Sequence, residues 1–262
     1  MFPAKRRALI VEQLRVEKAA SLRELANSLG MSLSTIRRDV EYLCEMGILQ
    51  RTHGGATLEP NALKTLEPPS EIASSIAHDE KKAIGEHAAH LVYPGQTIII
   101  DSGTTTTAMA VALKKRNIAF RAVTNDLHIG SILSENPSVG ITVTGGSVRN
   151  GTATILGVTA LQLLSRLRAD VAFIGTHAAN EEMLSDTTIE LAEIKRTIMG
   201  AADRVVLLAD SSKFFSSSFC EFGRLADIDM IITDSKLPEV HRAKIRSLGI
   251  ALEVVEADNL PR

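Results

Sequence analysis

The sequence predicts an α/β protein in two unequal parts, a small helical N-terminal domain and a larger, mainly parallel-sheet body. Three observations carry that expectation. Short runs of Val, Ile and Leu alternate with helical stretches from residue 79 onward, the pattern of a parallel sheet covered on both faces. Residues 1–56 lack such runs and are punctuated instead by helix starts and stops. Between them, residues 57–78 carry three prolines and no sustained period, so they read as a linker. A chain of 262 residues exceeds the usual size of one domain, which agrees with the division.

In the first part, Leu9, Ile10 and Leu14 recur at helical spacing from Arg6 to about Glu17, and Lys18-Ala19-Ala20 closes the segment. Ser21-Leu22-Arg23-Glu24 has the form of a capping box. Leu22, Leu25 and Leu29 supply the apolar side of the helix it starts, and Gly30 ends that helix. Ser32 stands at the next N-cap, for a helix reaching about Met46 and stopped by Gly47. Three helices with a Leu29-Gly30-Met31 turn between the last two describe a helix-turn-helix. Ile48 to Ala56 then alternates into Gly54-Gly55, a small hairpin or wing.

The body (79–262) opens with a helix at about 80–92. Strands are expected at 97–101, 121–124, 141–144, 171–175, 205–210, 230–234 and 251–256, separated by helices.

Composition narrows the function. Hydrophobic residues make up 45% and charged residues 23%, ordinary for a globular protein. Aromatics are only 3%, with no Trp, which argues against a platform of stacked rings for single-stranded nucleic acid. Cys44 and Cys220 stand alone, so neither a disulfide framework nor a metal site is expected, and no cofactor motif is present. No apolar run approaches the ~18 residues of a membrane span, and the start is charged and amphipathic, so a cytoplasmic protein is expected. The net charge of -2 hides an asymmetry. Residues 1–56 hold nine Lys and Arg against six Asp and Glu, a balance of +3, leaving -5 for the rest. The sign suits a nucleic-acid contact at the N-terminus.

On a helical wheel, Leu33, Ile36, Val40 and Leu43 share one side of the third helix, with Ser34, Arg37, Arg38 and Glu41 opposite and Thr35 on the flank. In an arbitrary helix the two arginines would form a solvated face. As the second helix of a helix-turn-helix, its first exposed turns enter the major groove, and Ser34, Thr35, Arg37 and Arg38 have the donors that bases and phosphates accept. Arg51, His53 and Gly54 stand at the wing, placed to meet the backbone. Lys5-Arg6-Arg7 reads equally as a phosphate clamp or a solubilising start.

In the body, Asp101-Ser102-Gly103-Thr104-Thr105-Thr106 follows a strand and opens a helix, gathering hydroxyls and free N–H groups into an anion cradle. Asp101 would repel phosphate, so it is expected to accept from a sugar hydroxyl or from the loop itself. Thr124-Asn125-Asp126, Thr144-Gly145-Gly146-Ser147 and Asp210-Ser211-Ser212-Lys213 also follow strands. Ligands of open α/β sheets bind outside the carboxyl ends of the strands, so the four loops define one candidate pocket for a polyhydroxy phosphate.

The stretch SLRELANSLGMSLSTIRRDVEYLCEMGILQRTHGGA resembles the N-terminal domain of DeoR-type transcriptional repressors, whose signature includes TIRRD in the recognition helix and R-x-H-G-G-A after the wing. DSGTTT, TND, TGG and LADSSKF are similar to the sensor domain of the same family, so the resemblance covers nearly the whole chain. It implies a body related to ribose-5-phosphate isomerase and CoA-transferase folds, which binds a phosphorylated sugar or related metabolite. On that resemblance Ser102 to Thr106 hold phosphate, Asn125 and Gly146 meet the sugar, and Lys213 contacts an anionic group. Arg149 and Lys195 are further cations, expected in surface salt bridges. The chain is therefore expected to be a repressor of a carbohydrate operon that binds double-stranded operator DNA as a homodimer or homotetramer.

The alternative is a sugar-phosphate isomerase with an accessory DNA-binding head. Such an enzyme needs a carboxylate to move a proton between adjacent carbons, with a Lys such as Lys213 stabilising the enediolate. The related isomerases carry an acidic Asp-Gly-Ala-Asp-Glu run after a strand. Here that place holds Ile174-Gly175-Thr176-His177-Ala178-Ala179-Asn180, without a carboxylate, so no catalytic residue is expected.

Overall fold

The computed structural model describes residues 1–59 and 66–257. Two compact units divide the chain after His78.

The first unit contains helix α1 (Pro3–Glu17), strand β1 (Ala19–Ser21), helices α2 (Leu22–Leu29) and α3 (Leu33–Glu45), strands β2 (Leu49–Thr52) and β3 (Gly55–Leu58), and helix α4 (Ser70–Ser75). Both bonds of the capping box are present, Glu24 N donating to Ser21 Oγ at 3.2 Å and Ser21 N to Glu24 Oε2 at 2.7 Å. Gly30 ends α2 with the left-handed backbone (φ 61) that favours glycine. Ser32 caps α3 by accepting from Thr35 N at 3.2 Å. The apolar sides of the three helices meet in one core containing Ile10, Leu14, Leu25, Ile36 and Leu43, all at 0% exposure.

Three features depart from the sequence expectation. Lys18-Ala19-Ala20 does more than close α1, because β1 joins the hairpin in a sheet of order β1-β3-β2. Strand β3 continues to Leu58, past the expected end of the domain. The stretch read as linker also contains α4, whose Ile72, together with Ile76, is buried in the head's core. Pro69 at the N-cap of α4 starts this short helix, and Ala77 N after it donates to Glu12 Oε1 of α1 at 2.7 Å.

The second unit follows α5 (His78–His90) with β4 (Thr97–Ile100), α6 (Thr104–Lys114), β5 (Phe120–Thr124), α7 (Leu127–Ser134) and β6 (Val139–Val143). A hairpin of β7 (Ser147–Val148) and β8 (Ile155–Leu156) leads to α8 (Val158–Leu164) and β9 (Val171–Ile174). Then come β10 (Ala178–Ala179), β11 (Met183–Asp186), α9 (Ile189–Met199), β12 (Val205–Leu208), β13 (Cys220–Arg224), β14 (Met230–Asp234), α10 (Glu239–Ser247) and β15 (Ala251–Val255).

All seven strands expected from the sequence lie in one parallel sheet of order β15-β14-β12-β9-β4-β5-β6. Burial on both faces explains their continuous apolar runs. Ile98, Ile100, Phe173, Val206 and Ile232 pack in one cluster with residues of α5, α6 and α7. Their neighbours Ile99, Ala172, Ile174, Leu207 and Ile231 pack in the other, with residues of α8, α9 and α10. From β4 the chain winds outward through β5 and β6; from β9 it winds the other way through β12, β14 and β15. The direction reverses between β4 and β9, where open sheets leave a crevice at their carboxyl edge. The sequence reading missed the small antiparallel sheet β10-β11-β13, whose strands are two to five residues long and only partly apolar.

Candidate functional site

The outward side of α3 is arranged as its periodicity dictates. Ile36, Val40 and Leu43 are at 0–2% exposure on the core side, while Arg37 and Arg38 are exposed; Leu33, expected on the core side, is 39% exposed at the start of the helix. Neither guanidinium has a hydrogen-bond or ion-pair partner among the described residues. Ser34 and Thr35 stand at the helix start with their hydroxyls 3.0 and 2.8 Å from Ser32 Oγ. Between arginines and core, Asp39 turns inward and is only 2% exposed. It accepts from Arg6 Nε and, at 3.0 Å, from Arg7 Nε. Arg7 also lies over the Tyr42 ring, 3.5 Å from its centroid. Arg6 and Arg7 therefore serve as an internal clamp between α1 and α3, which neither reading of Lys5-Arg6-Arg7 anticipated.

At the wing, His53 and Gly54 form the exposed tip between β2 and β3. Gly54 needs its positive φ of 87, and its carbonyl accepts from Leu22 N at 3.0 Å. The second glycine has a different role: a Cβ on Gly55 would lie 2.2 Å from the Ala20 carbonyl oxygen, so Gly55 lets β1 approach β3. Arg51 is exposed but paired with Glu41 at 2.9 Å, so its charge is shared with the protein.

In the second unit, Asp101 to Thr105 leave β4 beside the reversal point, and Gly175 leaves the neighbouring β9. Gly103 caps α6 with φ 142, and among the described residues no side chain accepts from the first turn of the helix. The hydroxyls of Thr106 and Thr107 donate instead to Gly103 O, at 2.9 and 2.8 Å. The N–H groups at this end are thus left without a side-chain acceptor, an arrangement suited to an anion. By contrast α7 and α9 are capped by Asp126 and Thr188.

Three of the expected contact residues face the protein. Asp101, Thr106 and Asn125 are at 0% exposure. Asn125 Oδ1 accepts from Ser102 N at 3.0 Å and braces the loop from behind. Asp101 Oδ2 accepts from Gly175 N at 3.2 Å and from Lys195 Nζ. Ser102 and Thr105 are nearly buried at 6% and 8%, whereas Gly103 and Thr104 are half-buried and more open. Gly146 is exposed at φ 140, and a Cβ there would meet Leu156 O at 2.3 Å, so it also serves the turn into the β7–β8 hairpin. Lys213 is half-buried in a turn after β12, which is held by Asp234 Oδ2 accepting from Ser211 N at 2.6 Å and Asp210 Oδ1 accepting from Ser212 N at 3.1 Å.

Lys195 corrects the expectation of a surface salt bridge. At 4% exposure it reaches from α9 to Asp101, to Gly175 O at 2.9 Å and to Asp186 Oδ2 at 3.5 Å. Burial pushes the Asp101 carboxyl above its ordinary value, and the Lys195 ammonium pulls it back down. The cluster ties the loops after β4 and β9 to β11. Its signal in the sequence was a lysine at the apolar spacing Leu191, Ile194, Ile198, on the buried side of α9.

Among the described residues, no group of three or more His, Cys, Asp or Glu is placed to hold a metal, and no helix is long and apolar enough to cross a membrane.

Residues 6–61 match the family model for the DeoR-like helix-turn-helix domain, and residues 76–235 match that for the DeoR C-terminal sensor domain. Relatives match over nearly their full length. The transcriptional regulator GolR of Listeria innocua is 31% identical over 98% of this chain and 100% of its own. GlpR of Haloferax volcanii is 32% identical over 96% and 98%. The transcriptional repressor CsqR of Escherichia coli K12 is 32% identical over 90% and 89%. Among solved structures, ribose 5-phosphate isomerase A of Methanocaldococcus jannaschii aligns over 53% of this chain and 55% of its own, with 17% identity and a TM-score of 0.40, too loose a likeness to bear on function. The chain belongs to the DeoR family and is a DNA-binding transcriptional regulator rather than an enzyme.

Proposed function

We propose that Ser34, Thr35, Arg37 and Arg38 read an operator in the major groove, that His53 and Gly54 meet adjacent phosphates, and that the second unit senses a phosphorylated sugar. The observation that carries the DNA assignment is the pair of exposed guanidiniums on α3 with no partner among the described residues. A helix-turn-helix presents this part of its second helix to base edges, and a guanidinium bonds guanine O6 and N7 in bidentate fashion. Arg51 is a weaker candidate because Glu41 competes for it. Operator duplex selected in vitro by the wild-type chain tests the assignment. Arg38→Ala should cost about 1–3 kcal/mol and relax selection at one base position. Unchanged footprinting by the Arg37→Ala/Arg38→Ala variant overturns it.

The effector reading rests on the uncapped start of α6 at the carboxyl edge. Backbone N–H groups of Gly103, Thr104 and Thr105 with the Ser102 hydroxyl take the phosphate, and Gly146 and Lys213 border the rest of the ligand. Asp101, Thr106 and Asn125 act behind the site as braces. Phosphorylated pentoses and hexoses should raise the melting temperature of the full chain, while the parent sugars do not. Saturation at 100 times Kd is worth about 2.7 kcal/mol. A screen in which no sugar phosphate shifts melting removes this reading and leaves the DNA assignment standing.

CsqR is named a repressor, and this chain is assigned the same sign of control. Effector releases the operator only by binding the DNA-incompetent arrangement more tightly. A homodimer or homotetramer, working in the cytoplasm, sets paired heads on half-sites ~34 Å or a multiple apart.

A further inference from the structure

The basic residues of the head are not equivalent. Arg37 and Arg38 are exposed, whereas Arg6 and Arg7 converge on one buried carboxylate, that of Asp39. Their side chains are only 12% and 23% exposed, and that of Asp39 is 3% exposed. Arg6 is further bonded through Nη1 to Met1 O at 3.1 Å, and Arg7 is stacked on Tyr42. Asp39 immediately follows Arg38 on α3, so the clamp acts on the same turn that presents the guanidiniums.

We propose that Asp39 determines specificity in the head by withholding Arg6 and Arg7 from DNA phosphates while fixing the rotation of α3. Phosphate contacts supply affinity without sequence information, and each one neutralised adds to non-specific binding. A regulator must find one operator among a large excess of other sites, and guanidiniums beside the reading helix that are free to grip any phosphate would strengthen its hold on those other sites without adding to the discrimination. One acidic side chain removes two such grips and uses them to orient the residues that read bases. The inference rests on the proposed placement of α3 in the groove.

The test measures binding of the full chain to a random-sequence duplex and to a duplex selected in vitro by the wild-type chain, across a salt series. Asp39→Asn should tighten random-duplex binding. Each released guanidinium that finds a phosphate steepens the log–log salt slope by about 0.9, or roughly 8-fold in affinity at 0.1 M salt. The ratio of selected to random binding should also fall, because the new phosphate contacts form on both duplexes alike while the unclamped α3 reads bases less well. A residue with only a packing role would weaken both duplexes together and leave the slope unchanged, and that result overturns the proposal.

If Asp39→Asn fails to fold, Arg7→Gln decides independently. It should leave random-duplex affinity and slope at the wild-type value, because Arg7 is already bound to Asp39. A slope loss of about 0.9 in Arg7→Gln would show Arg7 on phosphate and overturn the proposal. Arg38→Gln alone should lower the ratio of selected to random binding. If it does not, the placement of α3 fails, and that failure is read separately from the Arg7 result.

Discussion

Replacing Lys195 by Met tests how the second unit holds its loops. The substitution keeps an unbranched side chain of similar length and removes the ammonium from contact with Asp101, Asp186 and Gly175 O. Both carboxylates are almost inaccessible, Asp101 at 0% and Asp186 at 5%, so water cannot replace the lost partner. Removing one side of a buried pair costs about 3–5 kcal/mol. For a domain of this size each kcal/mol moves the midpoint by about 2–4 °C, so melting should fall by about 6–20 °C. The sign of the pH dependence follows from Asp101. Its folded value is raised by burial, so the folded state binds a proton more readily than the unfolded chain. The associated stability is full below the unfolded carboxyl's pKa, about 3.9, and is lost as pH rises through the folded value. Lys195 pulls that value down, and its removal extends the loss to higher pH. The deficit of Lys195→Met should therefore be smaller at pH 5 than at pH 7 in urea denaturation followed by circular dichroism. Adding Asp101→Asn should recover part of it. A loss below about 1 kcal/mol, or one equal at both pH values, refutes the reasoning.

Gly55→Ala should destabilise the head by about 1–3 kcal/mol through overpacking, since its Cβ would meet Ala20 O at 2.2 Å; the midpoint of the head's unfolding measures this. Ser32→Ala removes the acceptor of Thr35 N and should cost about 1 kcal/mol in the same assay. Thr104→Glu places a negative charge in the first turn of α6, which contains no acidic residue. It should raise basal stability by about 0.3–1 kcal/mol yet abolish the thermal shift produced by sugar phosphates, two effects of opposite sign in one calorimetric series.

The residues just before α5 are anchored in the head. α5 begins at His78; the residue before it, Ala77, has φ 50 and donates its N–H to Glu12 of α1. Ile72 and Ile76 just upstream are buried in the head's core. α1 in turn grips α3 through Arg6, Arg7 and Asp39. The segment is therefore part of the head up to the last residue before α5.

How much of this was legible in the sequence depends on what kind of signal each feature leaves. The seven strands were legible because burial on both faces demands uninterrupted Val, Ile and Leu, as in Ile98-Ile99-Ile100 and Val205-Val206-Leu207-Leu208. The head was legible because caps are local: Ser21 with Glu24, Ser32, and Gly30 act within one turn of chain. β1, α4 and the β10-β11-β13 sheet were not, since their reason for forming lies with distant partners, β3 for β1 and the α1 core for Ile72. The site divides the same way. Residue type marks Ser102, Asn125 and Asp101 alike as polar groups at strand ends, yet whether such a group touches ligand or braces a loop is decided by burial. Asn125 bonds Ser102 N across 23 residues, and Asp101 meets Lys195 across 94. Those distances in sequence exceed anything a periodicity can report. The one local trace was Lys195 itself: a cation at an apolar helical position must be paired inside the protein, because leaving it there alone costs more than the packing returns.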